Sequence, residues 1–474
     1  MTIALSNGSQ MTLSTKDILA AIEGAELLGP RQEYIYQRVC TDTRRDCRGG
    51  LFVALVGERF DGNRFLSAAK AAGASGAVID PSAQENSLPQ GLQCFRVQDT
   101  LEALQSLASY HRRRCSHCRA VAITGSNGKS TTKQLAASVC SQKFTTIATR
   151  GNLNNHIGVP LTLLEIEPDT QVLVSEIGAN HPGEIERLAS LIEPEISLIT
   201  NIAPTHLEGF GNLEGILEAK LELFEQTAQE GICIFNGDDP LLKQAVLKFS
   251  QKVVSFGLEN SNQVTACEIA LEQAVMPSFA LEPGGSRIHL PLSGYHNIYN
   301  ALAAVAVGRV LGIEENAVKA GLESASGLKM RMELKKIGSL LVLDDSYNAN
   351  PASMEAALQT VFEVEHEGPR VAVIGEMLEL GPMSERLHRD LACRLAELAF
   401  DLVVVVGSQA KAMKESFLFA GGTRNKIFSA ANSSAAWDLL KNKLQGDEFL
   451  LVKASRGIGL DFVVRQLEKE SGSS

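Results

Sequence analysis

The chain has 474 residues, 45% of them hydrophobic and 21% charged, with a formal net charge of −11. That length predicts two or three domains, and the balance excludes a disordered chain. The acidic charge gives no general attraction to nucleic acid or to a membrane surface, and the longest apolar runs, such as the LVVVV of residues 402–406, are too short for a membrane span.

The N-terminal segment MTIALSNGSQMTLSTKDIL lacks a basic start and an apolar stretch, which predicts no signal peptide and a cytoplasmic protein. Residues 1–97 mix short strands and helices around TDTRRDCRGGLFVALVGERFDG. At the next boundary Cys115 and Cys118 form a CxxC beside His111 and His117, but no second ligand pair follows at zinc-finger spacing. The nine cysteines are scattered and odd in number, which argues against a disulfide framework.

Residues 98–327 alternate strand-length apolar runs (AVAITG, TTIAT, QVLVSEIG, ISLITNI, ICIFNG, KVVSFG) with helical patterns, which predicts a parallel sheet flanked by helices. A less regular stretch, 264–294, predicts short antiparallel strands before a helix beginning HNIYNALAA. From 328 to 474 the alternation restarts and predicts a second, smaller α/β domain, with a frayed tail EKESGSS.

Within the middle region, AITGSNGKSTT joins a strand to a helix through Gly125, Ser126, Asn127 and Gly128, and Lys129, Ser130 and Thr131 open the helix. Glycines let backbone N–H groups approach phosphate, the helix N-terminus adds partial positive charge, the lysine reaches terminal phosphates and the serine hydroxyl suits Mg²⁺. Ile123 stands where the usual phosphate-loop pattern has its first glycine. Glu176 ends the apolar strand VLVSEIG on the edge where open α/β sheets bind ligands, so it is either a Mg²⁺ ligand or a solvated strand end. On the same edge, Asn152 and Asn155 either orient a polar substrate or close turns, and His206 lies in a loop after ISLITNI. Lys220 sits on the apolar stripe of its helix, flanked by Ile216, Leu217, Leu223 and Phe224, either with a snorkelling stem or with its head in a site. In the last domain VLDDSYNANP ends a strand in Asp344 and Asp345, which either make a turn and a helix cap or bind a ribose or second substrate.

Taken together, TGSNGKSTT, GNLNNHIGVPLTLLE, SEIGANHPGEI, HLEGFGNLEGILEAKLELF, HNIYNALAA, DDSYNANPASMEAAL, GEMLELG and KASRG resemble the Mur ligases, in order and over nearly the whole chain. The resemblance implies an α/β protein of three domains: a small mixed α/β UDP-substrate domain (1–97), a central parallel-sheet ATPase domain carrying the phosphate loop (98–327) and a Rossmann-like domain (328–474). It implies a monomer that uses ATP and Mg²⁺ to join D-alanyl-D-alanine to UDP-N-acetylmuramoyl-tripeptide through an acyl phosphate. The loop Gly125–Thr131 would then carry ATP, with Asn297, Asn300, Arg331 and Asp345 at adenine, phosphate or ribose. Ser130 and Glu176 match ligands of a first Mg²⁺, His206 one of a second, and Lys220 the lysine that carries a carbamate; Lys129, His206 and Lys220 would act in catalysis. Thr43, Arg44, Asn152, Asn155, Asn348 and Asn350 would contact substrate. Met330 precedes Arg331 where the family commonly has glycine. Two alternatives stay open: another amino-acid ligase of the folylpolyglutamate synthase type, and a phosphate-loop NTPase acting as a binding module.

Overall fold

The computed structural model describes residues 12–58, 60–272 and 275–472. The first eleven residues, on which the signal-peptide reading largely rests, and the last two of the expected frayed tail lie outside the described residues.

The first sheet contains β1 (Glu26–Leu28), β2 (Val39–Cys40), β3 (Leu51–Val53), β4 (Gly76–Ile79) and β5 (Gln93–Arg96), in the order β1-β5-β4-β3-β2. Only β1 runs antiparallel to its neighbour. Because β2 and β3 are parallel, the segment through Thr43 and Arg44 leaves the same edge as the hairpin that holds Phe60. Helix α1 (Thr100–Arg114) follows, capped by the Asp99 carboxylate, which accepts from the N–H groups of Leu101 and Glu102. Its Leu104, Leu107 and Ala108 join one hydrophobic cluster that runs from Val53, Val78 and Phe95 of the first sheet to Ala122 and Leu173 of the next. The two sheets therefore share a continuous core around α1.

The second sheet and its helices are β6 (Arg119–Thr124), α2 (Lys129–Cys140), β7 (Thr146–Ala148), β8 (Val172–Glu176), α3 (Glu184–Ile192), β9 (Ile196–Ile199), α4 (Leu207–Phe210), α5 (Leu213–Glu225), β10 (Ile232–Asn236) and β11 (Lys252–Phe256). All six strands are parallel, in the order β7-β8-β6-β9-β10-β11. β8 and β9 are buried along their whole length, which is why they read as unbroken apolar runs. The first strand, β6, lies between β8 and β9, so the chain winds outward on both sides of it and opens a crevice at its carboxyl end. β12 (Cys267–Glu272), β13 (Met276–Ala280) and β14 (Ile288–His289) form the expected antiparallel sheet. The almost wholly buried α6 (His296–Val310) then packs on α2.

The third sheet is built from β15 (Glu333–Ile337), β16 (Leu340–Asp345), β17 (Arg370–Gly375), β18 (Leu402–Val406), β19 (Ile427–Ala430) and β20 (Phe449–Lys453), with α7 (Pro351–Glu363) after β16 and α8 (Asp461–Ser471) last. Its order is β15-β16-β20-β17-β18-β19, antiparallel only at β15–β16. The edge strand ELKKI was not legible as a strand, because its two lysines break the apolar run as edge strands commonly do. The expected fraying at 468 is corrected: α8 continues to Ser471, with Val463, Val464 and Leu467 anchoring its buried face.

Candidate functional site

The loop after β6 is shaped by two glycines in the left-handed region, Gly125 at φ 141° and Gly128 at φ 79°. A Cβ on Gly125 would collide with the Thr200 hydroxyl, and one on Gly128 with the Asn300 side chain. The segment leaving β9 braces the loop. Ser126 N donates to Asn201 O (2.9 Å), Asn127 N donates to Asn201 Oδ1 (3.0 Å), and Thr200 Oγ1 donates to Asn127 O (2.5 Å). Lys129 is half-buried rather than solvated, and its ammonium donates to Gly125 O (2.6 Å) and Ser126 O (3.1 Å). Burial pulls its pKa down to about 8, opposed by Glu176 and reinforced by Arg331.

Parallel pairing sets Glu176 opposite Ile123, which brings its carboxylate to the loop. Its Oε1 accepts from Ser130 Oγ (3.0 Å) and Asn154 Nδ2 (2.8 Å), and the Lys133 ammonium lies 3.4 Å from Oε2. Oε2 is buried and has no hydrogen-bond partner among the described residues. Those residues hold no cluster of three His, Cys, Asp or Glu side chains able to cage a metal. A buried carboxylate beside a serine hydroxyl, with an oxygen that makes no hydrogen bond and has only the Lys133 charge nearby, fits a hard cation that takes its other oxygens from water and phosphate.

His206 is the residue before α4, at φ 51°, and its Nδ1 pairs with the carboxylate of Glu379 from the third-sheet region. Burial and then the Lys129 charge lower its pKa, against the pull of Glu379. Lys220 on α5 is 1% exposed, with its ammonium 5.1 Å from the centre of the Phe210 ring. Burial brings its pKa down to about 7, with Lys129 adding to the fall and Glu222 and Glu184 opposing it. Asn155 Oδ1 accepts from Ile157 N (3.2 Å) and Gly158 N (2.9 Å), closing a turn, so the carboxamide that reaches Glu176 belongs to its neighbour Asn154. On α6, Asn300 Nδ2 donates to Asn297 Oδ1 (2.8 Å), and Thr132 Oγ1 donates to Asn300 Oδ1 (3.1 Å).

The facing wall comes from the third sheet. The Arg331 guanidinium lies 4.1 Å over the Tyr347 ring, between Met330 at φ 61° and Met332 at φ 51°. Met330 thus adopts the left-handed conformation that glycine would favour, which explains how methionine stands there. Asp345 pairs with the buried ammonium of Lys453, which also donates to Asn348 O (3.0 Å), and Met332 N donates to Asp345 Oδ1 (3.1 Å). Asp344 makes a turn instead, accepting from Ser346 Oγ (2.6 Å). Asn350 caps α7 by accepting from Ser353 N (2.9 Å), so the helix starts at Pro351. Its Nδ2 donates to Asn127 Oδ1 (2.6 Å) across the two walls.

One cavity of about 960 Å³ gathers Ser126, Asn127, Gly128, Lys129, Ser130, Thr131, Asn152, Asn155, Glu176, His206, Asn297 and Asn300 from one wall, and Arg331, Asp345, Asn348 and Asn350 from the other. Gly125 and Lys220 do not line it, although the Lys220 charge is felt at His206. Thr43 and Arg44 lie outside it in the first domain, where the Arg44 guanidinium is tied to Asp42 (2.8 Å). Sequence reasoning missed Lys133, Asn154, Thr200, Asn201, Tyr347, Glu379 and Lys453. A signal existed for Lys453, a charge ending the apolar run FLLVK just as Glu176 ends its own strand.

The sequence profile of the Mur ligase middle domain matches residues 123–308, and that of the Mur ligase glutamate ligase domain matches residues 330–456. A UDP-N-acetylmuramoyl-tripeptide–D-alanyl-D-alanine ligase of Escherichia coli (strain K12) is 40% identical over 91% of this chain and 93% of its own. The crystal structure of MurF from Acinetobacter baumannii superposes with a TM-score of 0.85 at 34% identity, over 97% of this chain and all of that one. MurF ligase from Thermotoga maritima in complex with ADP superposes with a TM-score of 0.79 at 25% identity, over 92% of this chain and 98% of that one.

Proposed function

This chain belongs to the Mur ligase family, and we propose that it is the ATP-dependent ligase that joins D-alanyl-D-alanine to UDP-N-acetylmuramoyl-tripeptide in the cytoplasm. The observation that carries this reading is the single cavity in which a phosphate loop faces Arg331, Asp345, Asn348 and Asn350 of a second domain. Such a cavity suits a reaction in which a nucleotide and two further substrates must meet. Among the described residues no helix is long and apolar enough to cross a membrane.

ATP lies with its phosphates against the loop Gly125–Thr131, chiefly at the N–H groups from Gly128 on that open α2, where the helix dipole favours an anion. The N–H groups of Ser126 and Asn127 are held by Asn201. Lys129 turns to the terminal phosphates, while Asn297, Asn300, Arg331 and Asp345 receive adenine and ribose. Ser130 and Glu176 would hold one Mg²⁺, and His206 with Lys220, as a carbamate, a second. When bound, the ions neutralise charge on the phosphoryl group in flight. Asn152 and Asn348 orient the peptide substrates, while Asn155 and Asn350, whose amides close a turn and join the two walls, shape the cavity around them. Thr43 and Arg44 take the uridine nucleotide, on the same edge as the exposed, stacked Phe60 and Phe65 rings (5.3 Å apart), which offer an aromatic face to a base.

The chemistry then needs positioning more than covalent help. The terminal carboxylate of the tripeptide attacks the γ-phosphorus, ADP leaves, and an acyl phosphate forms. The amine of D-alanyl-D-alanine adds to its carbonyl carbon. The tetrahedral intermediate collapses to an amide and inorganic phosphate, and the amine's proton is lost. The test is product release: ADP and phosphate are expected only when the UDP-tripeptide, D-alanyl-D-alanine and Mg²⁺ are all present. ATP hydrolysis indifferent to the peptide substrates would overturn the reading in favour of an NTPase module, and turnover with a different amino-acid acceptor would move it to another ligase.

A further inference from the structure

His206 belongs to the second domain, yet the partner of its ring comes from the third. Its Nδ1 pairs with the Glu379 carboxylate, and its Nε2 has no hydrogen-bond partner among the described residues while the side chain lines the cavity. The contact is anchored on both sides. Glu208 N donates to Glu379 O (3.2 Å), and a side chain on Gly381 would come up against the Glu208 backbone. Leu380, 2% exposed, is rooted in the hydrophobic core of the third domain, and Leu207 packs against that same core. Both partners also hold left-handed backbone, His206 at φ 51° and Glu379 at φ 64°. Non-glycine residues keep that conformation when the surroundings fix it, and such positions concentrate at functional sites.

A carboxylate that accepts from one imidazole nitrogen fixes the tautomer and leaves the lone pair on the other nitrogen. We infer that Glu379 is a positioning residue: it holds the Nδ1–H of His206, aims a bare Nε2 into the cavity, and, because it arrives on the C-terminal domain, orients the histidine only while the two domains are docked. A cation or a hydrogen-bond donor entering the cavity would then meet a ready acceptor nitrogen in the closed arrangement and a misdirected ring in the open one. The inference deepens the ligase reading at its own site, but the state of the ring does not depend on that reading.

The experiment has two arms. In the first, the protein carries ¹⁵N-histidine and is observed by NMR at pH 8.5, about two units above the ordinary histidine pKa, where the ring is neutral. The His206→Asn variant identifies the signal among the nine histidines. Protonated Nδ1 with bare Nε2 is expected in the wild type, and a shift toward protonated Nε2 in Glu379→Ala. Protonated Nε2 in the wild type, or identical His206 spectra in both proteins, would overturn the inference. In the second arm, Glu379→Ala is expected to lower kcat on the order of 10–100-fold, the usual effect of removing such a partner. The KM values for ATP and the UDP-tripeptide should stay unchanged. Glu379→Gln, whose carbonyl oxygen still accepts the N–H, should recover part of the loss. Unchanged kcat, or a loss that the glutamine variant does not share out in this way, counts against positioning. If the ring behaves as expected but no peptide-dependent turnover exists in the wild type, the ligase reading fails while the orientation of His206 stands.

Discussion

The two walls of the cavity are made differently. The wall on the second sheet presents at its phosphate loop chiefly backbone: two glycines, a helix N-terminus, and carbonyls that gather the Lys129 ammonium within its own loop. The wall on the third sheet is made of side chains locked in pairs, with Lys453 on Asp345, Arg331 on Tyr347 and Asn350 on Ser353 N. The Lys129 charge in that loop rests on structure that would persist without it. A charge in the second wall is part of what holds that wall together. Substitutions should therefore separate function from stability in the first wall and lose both in the second.

The largest effect is expected at Asp345. Lys453 is 1% exposed, so Asp345→Ala leaves a buried ammonium with only the Asn348 carbonyl. Breaking a buried pair from one side costs about 3–5 kcal/mol. Urea unfolding should show that loss, and Asp345→Asn, which keeps an oxygen for the ammonium, should show less. Equal stability of wild type and the alanine variant would mean that the second wall is no more interlocked than the first.

Lys129→Ala is the counterpart. Its ammonium sits on carbonyls of its own loop, so unfolding should be nearly unchanged while turnover falls on the order of 10²–10³, the effect of losing one preorganised charge contact. Rapid-quench measurement of acyl-phosphate formation checks the step. Near-normal turnover would show that this loop is not where the γ-phosphate is transferred.

The same contrast decides what could be read in the sequence. The four inner strands of the parallel sheet were legible because burial leaves nearly unbroken apolar runs, the two half-buried edge strands by their β-branched residues, and the loop because glycines and a lysine at fixed spacing have few other uses. The family motifs brought Arg331, Asp345 and Asn350 to the site by resemblance, but not their partners. Lys453 lies 108 residues from Asp345, Glu379 lies 173 residues from His206 and in another domain, and nothing in local periodicity encodes such pairings, nor that of Tyr347 with Arg331. In GNLNN the sequence offered three asparagines and no way to tell which one faces Glu176. The loop decided for Asn154, whose carbonyl accepts from Gly178 N (2.8 Å) just past Glu176, while Asn155 is spent on closing a turn.

Lys220 tests the first wall at its deepest charge. With a pKa pulled to about 7 from 10.5, the folded protein binds fewer protons than the unfolded chain between those values. The penalty of burying the ammonium is full below pH 7 and fades as pH rises toward 10.5. In EDTA, Lys220→Met should therefore gain thermal stability over wild type at pH 6.5 and less at pH 9. The neutral amine that dominates above pH 7 can also take up CO₂ as a carbamate. Lys220→Ala should accordingly lose most activity, with partial recovery in acetate. Full activity in that variant would end the role, and loss without rescue would favour packing against Phe210.

The smallest effect is expected at Met330, and it asks whether strain in the second wall serves any purpose. Its backbone at φ 61° is costly for a residue with a Cβ, roughly 1–2 kcal/mol. Met330→Gly removes that cost but adds about 0.5–1 kcal/mol of unfolded-state freedom, so a gain of about 1 kcal/mol or less should remain. The side chain gives up little in exchange, its recorded contact being a weak one from Arg456 Nη1 to Sδ at 3.6 Å. The backbone bond from Tyr347 N to Met330 O (3.1 Å) does not need a side chain, so Arg331 should stay over the Tyr347 ring and the KM for ATP should hold. Thermal unfolding and ATP titration of the variant check both halves. A stabilised variant with a weaker KM for ATP would mean that Met330 does more than occupy a glycine's conformation, and that its strained backbone aims Arg331.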